Sequence, residues 1–236
     1  MRIAVAEDDV ELSRFLANCL RNAGHSVQEF KDGDTIIKQM KRDSFDLVLL
    51  DWQMPGRTGI ETLHWIRENL DPAPPVVMVT SRASEADIVN ALDAGADDYI
   101  VKPVQPVVLI SRLAAVARRS YPDSKRQAVE TFHQYSFDSR THSVSIGDEV
   151  IGVTAKEFGL ALLMMRNTNR PLSRGYLLEN IWGQDGGLET RTLDVHISQI
   201  RKRLRLRPEN GLRLSSIYGY GYRLEWIVDE TDKNND

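Results

Sequence analysis

In the first half of the chain, short unbroken apolar runs are separated by longer stretches where apolar and polar residues share a helical period. Ile3–Ala6, Leu47–Leu50, Val76–Val79 and Tyr99–Val101 are such runs, and Ser26–Phe30 is a weaker fifth. Runs this short, bounded by polar residues, predict strands buried on both faces. Leu12, Phe15, Leu16, Cys19 and Leu20 recur at i, i+3, i+4, i+7 and i+8, which predicts an amphipathic helix with Cys19 on its buried face. Ser84, followed by Glu85 and Asp87, opens another helix that Gly95 closes. Strands alternating with helices make βαβ units. Residues 1–119 are therefore expected to form an α/β domain with a five-stranded, doubly wound parallel sheet.

The pattern changes after 120–129, a polar stretch with Pro122 and no apolar periodicity that reads as a linker. Tyr135–Asp138, Ser143–Ile146 and Val150-Ile151 alternate and are broken by turns, predicting a small antiparallel sheet. Thr154-Ala155-Lys156-Glu157 is a capping box that opens an apolar helix through Phe158, Leu160, Leu162 and Leu163. A second helix is expected over Arg174–Trp182, stopped by Gly183, and a third near 190–204 after the loop 183–189. At about 100° per residue, Leu193, Ile197, Ile200 and Leu204 of this third helix form a core-facing stripe. Arg191, Val195, Ser198 and Lys202 lie opposite, with Gln199 on one flank and Arg201 and Arg205 on the other. Leu214–Ile217, Tyr218-Gly219-Tyr220-Gly221 and Tyr222–Leu224 read as strand, turn and strand, a hairpin wing. Residues 130–228 are thus expected to be a winged helix-turn-helix α+β domain, followed by an acidic tail, 229–236.

Composition sharpens this division. The 236 residues carry 30 Lys+Arg and 34 Asp+Glu, a net charge of −4 that by itself points to no partner. Residues 1–119 hold 14 basic and 18 acidic residues, whereas 120–228 hold 15 basic and 12 acidic. Within 190–207, Arg191, Arg201, Lys202, Arg203, Arg205 and Arg207 face Asp194 alone. A basic segment on a helix that follows another helix suits the major groove of double-stranded DNA. There an arginine can pair with guanine, Gln199 with adenine, and Val195 can touch a thymine methyl. A lone basic helix is as often simply a solvated face; the adjoining hairpin wing tips the balance. One cysteine excludes an internal disulfide and a thiolate zinc site. No apolar run approaches the roughly 18 residues that span a bilayer, and the start has no secretory character, so a cytoplasmic protein without membrane contact is expected.

The reactive groups of the first half gather at strand ends, where such sheets bind ligands. The first strand runs into Glu7-Asp8-Asp9 and the third into Asp51; the fourth ends at Thr80-Ser81 and the fifth at Lys102-Pro103. Taken singly, each acid or threonine is more simply a helix cap or loop residue. Four strand ends supplying carboxylates, a hydroxyl and an ammonium to one edge point to a site. Clustered carboxylates suit a hard divalent cation such as Mg²⁺. A carboxylate such as Asp51 can attack phosphorus to form an acyl phosphate, with lysine, hydroxyl and metal balancing the equatorial oxygens.

With these residues in view, 1–119 resembles the receiver domain of two-component response regulators. Glu7-Asp8 resembles its acidic pair, Asp51 in Leu50-Asp51-Trp52-Gln53-Met54-Pro55-Gly56 its phosphoacceptor, Thr80 its switch hydroxyl and Tyr99 its switch aromatic. Lys102-Pro103 resembles its lysine followed by a cis-prolyl bond. The resemblance implies that Asp8 and Asp51 bind Mg²⁺ directly, Glu7 through water and Gln53 through its backbone carbonyl. Leu172–Leu178, Trp182-Gly183, Arg191–Ile197 and Gly219–Arg223 resemble the OmpR/PhoB winged-helix effector domain. That resemblance implies DNA contacts from Arg191, Thr192, Val195, His196, Ser198, Gln199, Arg201, Lys202, Tyr218 and Gly219. It also implies an RNA polymerase contact through 183–189. For His196, a phosphate contact or packing is expected, since no second metal ligand lies at helical spacing.

Some residues depart from the family pattern. Val104 stands where phenylalanine is usual, Val108-Leu109 where Glu-Leu is, and Ile88 and Asn90 where arginine is. Receiver pairing is then expected to use Ile88 against Val108, beside Asp97, Asp98, Arg112 and Arg119. The resulting expectation is a transcriptional response regulator. A sensor histidine kinase phosphorylates Asp51 with Mg²⁺, the protein forms a homodimer, and promoter DNA is bound. It is no enzyme beyond catalysing its own phosphorylation and dephosphorylation. One rival, a phosphorylation-independent regulator with the receiver as a dimer scaffold, is disfavoured by the intact acidic set. Another, an aspartyl phosphatase, needs a second acid two residues after Asp51, where Gln53 stands.

Overall fold

A computed structural model of the chain describes residues 1–81, 84–120, 128–183 and 190–227, in two compact units, Met1–Ser124 and Lys125–Asp236. Residues 121–127 of the expected linker, residues 184–189 of the expected polymerase loop and the acidic tail lie outside the described residues.

The first unit alternates β1 (Arg2–Ala6), α1 (Val10–Asn22), β2 (Ser26–Phe30), α2 (Gly33–Met40), β3 (Leu47–Asp51), α3 (Gly59–Asn69), β4 (Val76–Thr80), α4 (Glu85–Asp93), β5 (Asp98–Val101) and α5 (Pro106–Ser120). All strand pairs are parallel and the order is β2-β1-β3-β4-β5. The apolar runs are continuous because alternate residues enter two different cores. Ile3, Val5, Leu47, Leu49, Val77 and Val79 pack with α1 and α5; Ala4, Ala6, Val48, Leu50, Val76 and Met78 pack with residues of α2, α3 and α4. Thr58 and Glu61 form a capping box at α3, Asp9 caps α1, and Ser84 caps α4.

One expectation for α1 needs correction. Leu16 and Leu20 are buried and Leu12 and Cys19 pack partly against the same core as expected, but Phe15 is exposed, and Ser13 and Ala17 take the remaining buried places. The buried stripe includes a polar residue because the Ser13 hydroxyl donates to Glu29 Oε2 at 3.1 Å, so hydropathy alone misplaced it.

The second unit opens with an antiparallel sheet, β6 (Val129–Phe132), β7 (Tyr135–Asp138), β8 (Ser143–Ile146) and β9 (Glu149–Ile151). Then follow α6 (Ala155–Arg166), β10 (Leu172–Ser173), α7 (Arg174–Trp182), α8 (Thr190–Arg203) and the hairpin β11 (Leu212–Ile217) and β12 (Gly221–Trp226). The sheet order β10-β12-β11 joins the hairpin to the start of α7. Neither β6 nor β10 was expected from the sequence. Thr154 and Glu157 cap α6 reciprocally. Leu193, Ile197, Ile200 and Leu204 are buried in one core with Tyr135, Phe137, Leu160, Leu177, Leu214 and Leu224, and the Tyr135 hydroxyl donates to the Leu204 carbonyl at 3.0 Å. Gly221 permits the close seam between β12 and β10, since a Cβ there would lie 2.1 Å from the Leu172 carbonyl oxygen.

Candidate functional site

The carboxyl ends of β1, β3, β4 and β5 converge. Glu7 follows β1, Asp51 and Thr80 end β3 and β4, and Lys102 follows β5, its backbone N–H donating to the Thr80 carbonyl at 2.9 Å. The Lys102-Pro103 peptide is cis. Lys102 Nζ lies 3.1 Å from Asp51 Oδ2 and donates to Glu7 Oε1 at 3.1 Å. Glu7 Oε2 is 2.9 Å from the same nitrogen in ion-pair contact, yet accepts no hydrogen bond. Carboxylate oxygens of Glu7, Asp8 and Asp51 all lie within 4.8 Å of one another. Glu7 and Asp51 are buried and Asp8 is exposed, so the cluster opens to solvent on one side.

The electrostatics follow from this crowding. Burial first, and the Asp51 charge after it, push the Glu7 carboxyl up to about 7, although Lys102 pulls the other way. Burial alone would lower the Lys102 ammonium; the hydrogen bond to Glu7 and the charges of Asp51 and Glu7 outweigh it, and its pKa is raised. An all-oxygen set that includes a buried carboxylate oxygen without a hydrogen bond fits a hard divalent cation. Gly59 holds α3 against this site, because a Cβ there would stand 2.0 Å from the Asp51 carbonyl oxygen. Gln53 is exposed two residues past Asp51, while Thr80 and Tyr99 are buried. Asp9, the third acid of its run, turns away to cap α1.

In the second unit α8 presents a mixed face. Arg191, Val195, Ser198, Gln199 and Lys202 are exposed, and Thr192 and His196 are half-buried. Most of the neighbouring cations are already engaged. Arg201 Nε donates to the Leu214 carbonyl at 3.0 Å, and Arg203 Nη1 to the Gly152 carbonyl at 2.8 Å, 3.3 Å from Glu157. Arg205 pairs with both oxygens of Glu149. Among the described residues Arg191, Lys202 and Arg207 have no ion-pair partner. His196 packs edge-on to Trp182, and its Nδ1 lies 2.8 Å from the Thr192 carbonyl oxygen. Tyr218 at the wing tip is fully exposed, followed by Gly219 at φ 69°.

One link was not anticipated. Asp194 Oδ1 accepts from Arg174 and from the Tyr222 hydroxyl, and the Arg174 guanidinium lies 5.2 Å from the Tyr222 ring centroid. This ties α7, α8 and β12 together. The available sign was Asp194 itself, the lone acid in a basic segment.

The residues expected to pair receivers are partly committed within the unit. Asp97 Oδ2 accepts from Arg67 at 2.8 Å and from the Val76 N–H at 2.7 Å, and Asp98 pairs with Arg112 at 2.9 Å. Arg119 reaches the Asp97 carbonyl at 3.5 Å. Ile88 packs partly on its own core, while Val108 is exposed, as are Val89, Leu92 and Val107.

The profile described as "Response regulator receiver domain" matches residues 3–114, and that described as "Transcriptional regulatory protein, C terminal" matches 147–224. With the parallel receiver sheet, the winged-helix unit and relatives matching almost end to end, the chain belongs to the OmpR/PhoB family of two-component transcriptional response regulators. It is 36% identical over 225 residues to the sensory transduction protein RegX3 of Mycobacterium tuberculosis, covering 94% of this chain and 98% of that one. It is 37% identical over 223 residues to the phosphate regulon transcriptional regulatory protein PhoB of Escherichia coli, covering 94% and 96%. The crystal structure of response regulator DrrB, a Thermotoga maritima OmpR/PhoB homolog, aligns at a TM-score of 0.46 and 26% identity over 95% of this chain and 98% of that one. No helix among the described residues is long and apolar enough to cross a membrane.

Proposed function

We propose that Asp51 is the phosphoacceptor, that its phosphorylation promotes receiver pairing, and that the paired effector domains bind repeated half-sites in promoter DNA. An oxygen of Asp51 bonds to phosphorus as the phosphorus–nitrogen bond of the kinase phosphohistidine breaks, and the imidazole leaves with that electron pair. Lys102, held between Glu7 and Asp51, is in reach of the charge on the transferring oxygens. The hydroxyl of Thr80, one residue past the register partner of Asp51, is the donor for a further oxygen. Mg²⁺, held by Asp8 and Asp51, by Glu7 through water and by the Gln53 carbonyl, would supply the remaining neutralisation of the phosphoryl oxygens. Thr80 and Tyr99 then carry the change to the surface bearing Val89, Leu92 and Val108, which pairs with a second copy. Arg191 and Lys202 take DNA phosphates while the middle of α8 faces the bases and Tyr218 meets the groove alongside. The 183–189 loop is assigned to RNA polymerase, and the cytoplasm is the compartment where kinase and DNA are both reached. The domain bounds 1–119 and 130–228 are retained, with no catalysis beyond the protein's own phosphorylation and dephosphorylation.

The observation that carries this reading is Lys102 within 3.1 Å of both Glu7 and Asp51 at converging strand ends. Incubation with Mg²⁺ and a small phosphodonor, followed by intact mass, tests it. One added phosphoryl group is expected, absent with EDTA and absent in Asp51→Ala. An increase that survives Asp51→Ala contradicts the assignment.

A further inference from the structure

Resting on the DNA-binding reading of α8, we propose that base discrimination belongs to the uncharged pair Val195 and Gln199 at an A·T-containing step. The arginines that follow serve to hold the helix in place. At about 100° per residue, the exposed residues Arg191, Val195, Ser198, Gln199 and Lys202 fall within roughly 60° of one line along the helix. The two cations stand at the ends of that line, about 16 Å apart at 1.5 Å per residue, where they bracket the groove and meet phosphates. The middle is neutral.

The Gln199 side chain has no hydrogen-bond partner among the described residues. Its amide carries a donor and an acceptor side by side, matching N7 and N6 of adenine; guanine offers two acceptors there and suits arginine instead. Val195, exposed by 57% in an otherwise polar face, lies one turn away. Its Cβ is about 5–6 Å from that of Gln199, within two base-pair steps, where a thymine methyl gives it an apolar neighbour. No carboxylate faces cytosine from this line, because Asp194 is turned to Arg174 and Tyr222. The arginines that follow have partners within the unit: Arg201 Nε the Leu214 carbonyl, Arg203 the Gly152 carbonyl and Glu157, and Arg205 the exposed Glu149.

The test is selection from a random duplex library with the full-length protein, untreated and treated with Mg²⁺ and a small phosphodonor. Wild type, Gln199→Arg, Gln199→Ala, Val195→Ala and Arg201→Gln are compared. The expected wild-type site has an invariant A·T pair. Gln199→Arg moves that position to G·C, and Val195→Ala relaxes a thymine within two base pairs of it. Gln199→Ala binds the wild-type site roughly 10- to 100-fold more weakly. Arg201→Gln weakens binding to all sequences alike without changing the site. The proposal is overturned if Gln199→Arg selects the wild-type site, if Arg201→Gln changes a base preference, or if every invariant wild-type position is G·C. No enrichment by the wild type in either arm overturns the DNA-binding reading, and this inference with it.

Discussion

Glu7 is 3% exposed, with Lys102 on one side and Asp51 close by. Its carboxyl, pushed up to about 7 by burial and then by the Asp51 charge, holds a proton where the unfolded chain, at 4.5, has released it. The stability tied to that proton is fully present below about 4.5 and is lost as pH rises through about 7. In metal-free protein, Glu7→Gln removes the cost of ionisation. Urea unfolding in EDTA should show the variant gaining on wild type between pH 5 and pH 8, by at most about 3 kcal/mol at 1.36 kcal/mol per pH unit. Excess Mg²⁺ at pH 8 should stabilise wild type more than the variant, which keeps Asp8 and Asp51 but holds the cation more weakly without the Glu7 charge. A difference that ignores pH contradicts the assigned burial. In the second unit, Asp194→Ala leaves Arg174 and the Tyr222 hydroxyl without their shared acceptor. A loss of about 0.5–1.5 kcal/mol in the unfolding of that unit is expected, with phosphorylation of Asp51 untouched.

Among the elements, those buried on both sides or by a clear stripe were legible. The central strands β1, β3 and β4 read as apolar runs because each face of the sheet has its own core, and the stripe of α8 read correctly because its four core residues are all large and apolar. The α1 face was read only in part: Leu12, Leu16, Cys19 and Leu20 lie on or against the core, but Phe15 does not, and Ser13 is buried through a hydrogen bond to a residue of β2 that hydropathy does not weigh. Strand β10 is two residues long and exists only through pairing with β12. At the sites, the strand-end acids, Thr80 and Lys102 were visible as residue types at the ends of predicted strands. Which arginines of the basic segment are free was not, because Glu149, Glu157 and Leu214 lie well away in the chain. The seam at β10 makes a prediction: Gly221→Ala should destabilise the second unit by about 3 kcal/mol, because the added Cβ meets a backbone carbonyl that cannot rotate away. Thermal unfolding followed by tryptophan fluorescence in a Trp52→Phe, Trp65→Phe background, where Trp182 and Trp226 of the second unit report, should show this, and an unchanged midpoint argues against the close approach.

For the whole molecule, the net charge of −4 conceals a division of labour between an acidic receiver and a basic effector core. The receiver's carboxylates include the cluster at the strand ends, and the effector's surplus is mostly spent on its own hydrogen bonds. Few cations are therefore left for phosphates, and DNA affinity should fall with salt at a slope corresponding to a few contacts per half-site rather than to the six cations of 190–207. Titrating salt with wild type and Lys202→Ala should show a slope smaller by about one phosphate contact per half-site in the variant. By the proposed mechanism, one covalent change at Asp51 sets the affinity for DNA. Its most direct measurement is fluorescence anisotropy on the selected duplex, with wild type and Asp51→Ala, before and after Mg²⁺ and a small phosphodonor. Wild type should tighten by roughly 5- to 150-fold, the usual range of coupling between two sites, and the variant should not respond. Equal affinity of treated and untreated wild type, with Asp51 shown by mass to be phosphorylated, would contradict the account.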